Sequence, residues 1–545
     1  MFDYIVIGGG SAGSVLAARL SEDPAVSVCL LEAGPADHSA LIHCPAGIVA
    51  GGALKGWKHN WAFQTVPQPG LNGRRGYQPR GRGLGGSSSI NAMLYVRGQP
   101  QDYDYWAAQG NPGWGWSGVL PYFLKAEHNE RGASAFHGTG GPLNVMDPMC
   151  ASATASLFVQ AAVQAGLPAN PDFNGEQQEG AGIYQVTQRA GERCSAAKAY
   201  LTPNRARPNL TVITDAAVQR IVFEGRRASG VEVRVAGQLQ RLLARREVLL
   251  CAGALQSPQI LMLSGVGPAA QLQQHGLAVL HDLPGVGEHL HDHISVTHIV
   301  DAPRRKDTFT VSPRGLPMAL KGIYDWATQR RGKLTSSIAE AGAFFKSRPE
   351  VAVPDLQVHF VITKLVDHAR KLAFGHGYTC HLCPLRPASR GTLRLTSADP
   401  AAAPAIDPNF FGDPADMALL IRGFRQLRHI LQQPALADFG GQELPELAAA
   451  QSDAQIEAYI RAHSDTEYHP VGSCRMGPGP LDVVDHELRV HGLQGLRVVD
   501  ASVMPRIVSG NTNAPTIMLA EKAADLIKAA AQAAGQAATL ARVAA

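Results

Sequence analysis

The chain has 545 residues, 45% of them hydrophobic, which is enough for two or three domains' worth of core and excludes disordered and fibrous classes. Its formal net charge of +4 arises from both signs mixed along the sequence; this gives no nucleic-acid footprint, only weak encouragement for an anionic membrane surface, and small molecules as the expected partners. Eight cysteines scattered over that length are too sparse for a disulfide framework and are read as reduced thiols.

The chain begins MFDYIVIGGG, an apolar run that passes straight into structural glycines without a basic n-region or cleavage site, so a cytoplasmic location is expected. No stretch approaches the roughly 20 apolar residues of a transmembrane helix. "DYIVIGGGSAGSVLAARL" reads as strand, tight turn and helix, with Gly8-x-Gly10-x-x-Gly13 at the turn and helical periodicity at Val15, Leu16 and Leu20. The glycines admit a pyrophosphate to the backbone, and the helix start offers it free N–H groups and a positive dipole end. A second apolar run, "VSVCLLEAG", ends in Glu32, 19 residues beyond Gly13, where an acid can accept both hydroxyls of an adenosine ribose. Dinucleotide binding is expected; Glu32 argues against a 2′-phosphate, and the motif alone leaves NAD and FAD open.

"GRGLGGSSSINAMLYVRG", residues 81 to 98, concentrates backbone N–H groups suited to phosphate or to a flavin's polar edge. Between about 300 and 460, "PDLQVHFVI", "GYTCHLCPL" and "GTLRLTS" alternate as strands of an antiparallel sheet, and "ADMALLIRGFRQLRHIL" is an amphipathic helix. Cys380 and Cys383 have metal-like spacing, but no second pair accompanies them; a strand is expected there, and no metal. His469 in "YHPVGSCRMG" is, taken alone, a structural histidine, and Asn511 and Asn513 in "SGNTNAPT" are turn residues. The Ala-rich end favours a helix whose last dozen residues fray at the surface, and it admits peripheral membrane contact.

Residues 81 to 95 and "GALQSPQILMLSGVG", 253 to 267, resemble both signature segments of the glucose-methanol-choline oxidoreductases, FAD-dependent alcohol oxidisers. The likeness extends through "NWAFQT", "PGVGEHLHDH", "YHPVGSCRMG" and "RVVDASVMPRIVSGNTNAPTIMLAEKAADLI", and it is strongest toward bacterial medium-chain aliphatic alcohol dehydrogenases and choline dehydrogenases. The resemblance implies an α/β fold in which a discontinuous Rossmann-like FAD-binding domain (1–150, 190–300 and 465–545) carries an α+β substrate-binding cap with an antiparallel sheet (151–189 and 301–464). It implies FAD held by Gly8, Gly10, Ser11, Ala12, Gly13, Glu32 and Ala33 at the ADP half, and by Gly86, Ser87, Asn91 and Met93 beside the pyrophosphate and isoalloxazine. Val218, Ala252, Tyr468, Asp500, Ala501 and Asn513 complete the implied cofactor contacts. Ile90 stands where some relatives attach the flavin through a histidine, so dissociable FAD is expected.

The same resemblance makes His469 the catalytic base and Asn511 its partner. The chemistry agrees: a flavin accepts the α-hydride but not the hydroxyl proton, and an imidazole titrates close enough to neutrality to take it. Asparagine cannot serve as a second base. The implied activity is oxidation of primary alcohols with electrons passed to a quinone or another carrier. A choline-type dehydrogenase, a peroxide-forming oxidase and, remotely, a flavin-containing hydroxynitrile lyase remain as alternatives. Glu467, two positions before the base, is expected to point outward as a solvated charge. Glu340 lies near where choline-oxidising relatives direct a carboxylate at the substrate's cation, and oligomeric state is left open.

Overall fold

The strand Phe2–Ile7 is buried beyond its first residue, as a continuous apolar run must be when both faces of a parallel sheet are covered. It pairs in parallel with Val28–Leu31 on one side and with the second half of Gln238–Leu250 on the other. Leu210–Ile213 extends the sheet beyond Val28–Leu31, and Leu496–Val498 extends it beyond Gln238–Leu250. The first strand therefore lies in the middle, and the chain winds outward both ways, the doubly wound arrangement of nucleotide-binding folds. The helices Ser11–Leu20 and Asn513–Ala544 pack against each other and contribute to the same core. The computed structural model describes residues 1–54, 56–304, 307–310, 315–371, 373–437 and 439–544.

Gln238–Leu250 is long enough, at 13 residues, to serve two sheets. Its first half leaves the parallel core and pairs antiparallel with Arg227–Val235, which in turn pairs with Ala216–Glu224.

A second, seven-stranded sheet is antiparallel. Its order runs from Gln442–Glu443 through Ile294–Asp301, Gly377–Pro384, Leu356–Val361 and Ala339–Phe345 to Gly180–Ile183, with Ser464–Thr466 also pairing Ile294–Asp301. One face is closed by helices: Phe158 of Ala153–Gln164 stacks on Phe360, and Gly423 of the amphipathic helix Pro414–Leu431 sits against Leu356. The period of two along Leu356–Val361 then sends Gln357 and His359 to the opposite face. Direct pairing of His359 with His381 puts a second histidine beside the first.

One expectation is corrected. "GTLRLTS" does not join this sheet: Thr392–Arg394 pairs with Ala405–Asp407, and Leu393, Leu395 and Ile406 are buried in the nucleotide-side core instead. Its short apolar alternation satisfied a local hairpin rather than the larger sheet. The Ala-rich C-terminal segment forms the helix expected of it, Asn513–Ala544, with residues 532–537 exposed. "CHLC" is a strand as expected, with both thiols buried and their pKa pushed up by burial. Among the described residues no helix is long and apolar enough to cross a membrane.

Candidate active site

A cavity of about 630 Å³ opens where the parallel strands end: at Ile7 and Gly8, at Leu31 and Glu32, at Cys251 and Ala252, and at Asp500. Ligands of open α/β sheets bind at these carboxyl ends. Every cofactor-binding and catalytic residue expected from the sequence lines it except Gly13: Gly8, Gly10, Ser11, Ala12, Glu32, Ala33, Gly86, Ser87, Asn91, Met93, Val218, Ala252, Tyr468, His469, Asp500, Ala501, Asn511 and Asn513. Gly13 lies behind the lining, where an added Cβ would stand 1.9 Å from the Gly8 carbonyl oxygen, so its role is the packing of helix on turn rather than contact with a ligand.

At the nucleotide end, Gly8 has φ +99°, which side chains rarely tolerate, and a Cβ on Gly86 would meet the Gly10 Cα at 2.7 Å. Two backbone segments thus approach with no side chain between them. No side chain caps the helix Ser11–Leu20, which leaves its N terminus free for an anion. Glu32 is more committed than the sequence implied: one carboxylate oxygen accepts the Gly9 N–H at 2.8 Å, and the other accepts those of Gly34 and Gly83 at 2.8 and 2.9 Å. Burial pushes its pKa up, opposed by these three donors. A carboxylate has lone pairs beyond those it uses here, so ribose hydroxyls can still be accepted. Asp500 ties two strand ends to one helix start by accepting from Gly253 N–H and the Ser257 hydroxyl. Asn513 Oδ1 accepts the Ser11 hydroxyl at 2.7 Å and links the final helix to the glycine turn.

Deeper in, Asn91 Oδ1 accepts from Met93 N–H at 3.0 Å and from Arg193 Nη1 at 2.8 Å, fixing a bend in which Met93 adopts φ +62°. Sequence reading missed Arg193, a fully buried cation that also donates to the carbonyls of Ile42, Ser88 and Asn91.

His469 faces this cavity with a defined tautomer. His293 Nε2 lies 2.9 Å from the Leu385 carbonyl oxygen, so that nitrogen carries the hydrogen and Nδ1 of the neutral ring is an acceptor. Burial depresses the His293 pKa to about 4, which keeps the ring neutral. His469 Nδ1, 3.1 Å from His293 Nδ1, must therefore donate, and His469 Nε2 keeps its lone pair. Asn511 Nδ2 donates to that lone pair at 3.3 Å, while Gln357 Nε2 donates to Asn511 Oδ1 at 3.4 Å and orients the amide. The backbone N–H of His469 is held by Asp292 at 2.8 Å. Burial, with His293, His359 and Arg80 acting in the same direction and Glu467 opposing, holds the His469 pKa well below its ordinary value. A neutral imidazole thus presents its acceptor nitrogen beside an amide N–H.

Comparison with known proteins now decides the family. The GMC oxidoreductase N-terminal and C-terminal profiles match residues 2–295 and 387–520. The chain belongs to the GMC oxidoreductase family. It is 49% identical to an alcohol dehydrogenase [acceptor] of Pseudomonas putida, over 97% of this chain and 96% of that one. It is 45% identical to the mitochondrial choline dehydrogenase of Homo sapiens, over 97% and 90%. The crystal structure of pyridoxine 4-oxidase from Mesorbium loti superimposes with a TM-score of 0.86 at 33% identity, over 96% of this chain and 99% of that one.

GMC oxidoreductases are FAD flavoproteins, and FAD is the cofactor of this one. The residues present fit it: the close approach of Gly10 and Gly86, the uncapped helix start and the carboxylate at the end of Val28–Leu31 form a cradle that any Cβ at Gly86 would fill.

Glu467 of this GMC oxidoreductase departs from expectation. It is not a solvated charge but is 6% exposed and lines the cavity. Burial alone would raise its pKa; the charge and hydrogen bond of His381, together with His359 and the Ser295 hydroxyl, outweigh that and hold the carboxyl well below the usual carboxylate range. Glu340 turns the other way. It sits at a bulge between Ala339 and Ala341, accepts from the Ser336 hydroxyl and from Ser152 N–H at 2.7 Å, and does not line the cavity. Sequence reading also missed His293, Gln357, His359 and His381 as neighbours of the base; the last three carried a signal, as polar residues recurring at period two in strands otherwise apolar.

Buried neutral histidines predict an acid-labile fold. Burial lowers the pKa of His293 to about 4 and of His298 to about 3, and the two His298 ring nitrogens have no hydrogen-bond partner among the described residues. The unfolded chain, titrating near 6.5, then binds protons that the native state refuses. Stability is complete above about pH 6.5 and falls by up to about 1.4 kcal/mol per pH unit for each such ring as pH drops toward 4. Urea midpoints between pH 7 and 4.5 should decline on this slope, and His298→Leu should flatten it; an unaltered slope in that variant would show that His298 is not among the responsible groups.

Proposed function

We propose that the protein oxidises primary alcohols, medium-chain aliphatic ones first, to aldehydes and passes the electrons to a quinone or another carrier. The observation that carries this reading is the acceptor nitrogen of His469, fixed by His293 and set beside the Asn511 amide at the wall of the cavity. An alcohol hydroxyl lodged between them gives its proton to His469 Nε2, while the Asn511 N–H holds the oxygen as its charge develops. When bound, FAD supplies the hydride acceptor. The cavity walls exclude water and orient the carbinol carbon. At Ile90 a hydrocarbon side chain offers no bonding atom, and the cofactor is accordingly read as dissociable FAD.

The choice of an alkyl over a cationic substrate rests on two features. Ile48, Val49, Trp57, Ile338, Val361 and Leu365 give the cavity an apolar wall, and Glu340, which lies near where choline-oxidising relatives direct a carboxylate, points away from it. The second reading, a choline-type dehydrogenase, draws support from relatives of that name at 43–45% identity. Anaerobic mixing with 1-alkanols, benzyl alcohol and choline distinguishes the readings. Bleaching of the oxidised-flavin band near ~450 nm should be fastest with alkanols of intermediate length; choline as the fastest substrate would reverse the assignment, and no bleaching with any of them would point to a lyase. Recolouring by a quinone faster than by oxygen is expected of a dehydrogenase.

A further inference from the structure

Glu467 has no part in the proton step just described, yet it lies two residues before the base and lines the same cavity. An uncompensated buried carboxylate costs several kcal/mol, so its surroundings have to account for it. One oxygen accepts the Nδ1–H of His381 at 2.8 Å, and the other stands 3.6 Å from Nδ1 of His359. His359 and His381 are direct cross-strand partners, which sets their side chains about 5 Å apart on one face. His359 in turn meets Gln357 Nε2 at 3.0 Å, the amide that orients Asn511. The carboxylate is therefore one ring removed from the catalytic pair.

Taking the hydroxyl proton turns His469 into an imidazolium. The groups around it are His293, immediately before the strand Ile294–Asp301, His359 from Leu356–Val361, Arg80 from the loop after Tyr77–Gln78, and, as carboxyls, Glu467 and Asp292. The first three disfavour the new charge. Asp292 is pushed up to about 6 by burial, against the Thr466 hydroxyl, Arg80, the His469 N–H and Gln78, so it is ionised at neutrality but loses its charge as pH falls through about 6. Glu467 is the carboxylate held firmly ionised. While the alkoxide is present it compensates the imidazolium, and the departing hydride carries that negative charge to its acceptor; a fixed protein anion beside the ring adds compensation that depends on neither.

We propose that Glu467 is a positioning residue that supplies the counter-charge for the imidazolium formed at His469, anchored at that depth by His381. In the step concerned the substrate O–H bond breaks, an N–H bond forms at His469 Nε2, and the proton later leaves to solvent; Glu467 itself gains and loses nothing. The proposal rests on the alcohol-oxidising reading.

The test is the pH profile of anaerobic flavin reduction by an alkanol. Glu467→Gln keeps the shape and removes the charge: the limb that reports the base should move about one unit toward acid, with plateau kcat falling about tenfold and KM changing less than about twofold. Glu467→Asp should retain the wild-type limb. His381→Gln keeps a donor to the carboxylate but carries no ring to compensate it, so its limb should move the opposite way, toward alkaline pH; this variant decides the matter where Glu467→Gln fails to retain FAD. An unmoved limb in Glu467→Gln, or in His381→Gln where that variant decides, would overturn the proposal. A wild-type flavin that no primary alcohol bleaches would instead overturn the functional reading beneath it.

Discussion

Replacing His469 with alanine is expected to slow flavin reduction by alcohol by about 10²- to 10⁴-fold, the usual contribution of a positioned general base, while FAD stays bound. The magnitude follows from what is lost and what is kept. The variant loses the acceptor nitrogen whose tautomer His293 fixes, and Asn511 beside it has no basic nitrogen to take its place. Most of the nucleotide cradle is far along the chain, in the turn at Gly8 and Gly10, the loop at Gly86 and Ser87, and the strand end at Asp500. The backbone at 469 is anchored through its N–H by Asp292, a bond alanine can still make. Stopped-flow bleaching under anaerobic conditions, with absorbance near ~450 nm per protein as the measure of bound flavin, reads both quantities. Normal reduction in this variant would remove His469 from the mechanism, and loss of flavin would make its role structural.

The nucleotide half of the molecule was legible because its constraints are local. A glycine required by a turn, an apolar run buried on both faces and an acid at a strand end are all set by neighbours within about 30 residues of sequence, the span of one βαβ unit. The substrate side is different. Whether Glu467 faces water or the cavity depends on His381, 86 positions away, and on the register that pairs His381 with His359. A one-residue slip in that register would put the two rings on opposite faces of the sheet, turning one of them to the helix-covered side, and no local pattern around Glu467 records which register holds. Glu340 illustrates the same point: an alternating strand predicts a direction for it, and a bulge redirects it toward Ser152, 188 residues upstream. Tautomers are likewise beyond a sequence, since the Leu385 carbonyl that fixes His293 is 92 residues distant.

Gly13→Ala is expected to give a protein that purifies without FAD and melts well below the wild type. The added methyl would stand 1.9 Å from the Gly8 carbonyl oxygen and 3.2 Å from a Val6 side-chain carbon. Neither neighbour can yield cheaply: the first is backbone, in a glycine held at φ +99° between Leu31 and Cys251, and the second is in the middle strand of the parallel sheet. Relief has to come from shifting the helix Ser11–Leu20, whose N-terminal N–H groups form the anion end of the cavity, so stability and cofactor affinity fall together. Overpacking of this kind costs about 1–3 kcal/mol or more, and an added displacement of phosphate-facing donors weakens binding further. Gly535→Ala provides the contrast. Nothing stands within 4 Å of a Cβ there, in the exposed part of the final helix, and alanine should stabilise that turn by up to about 1 kcal/mol without altering flavin content. Thermal melts and flavin-to-protein ratios of the two variants separate a generic cost of adding a methyl from a specific closure of the nucleotide turn. A Gly13→Ala protein with full flavin would mean that the helix can withdraw while its N terminus keeps its place.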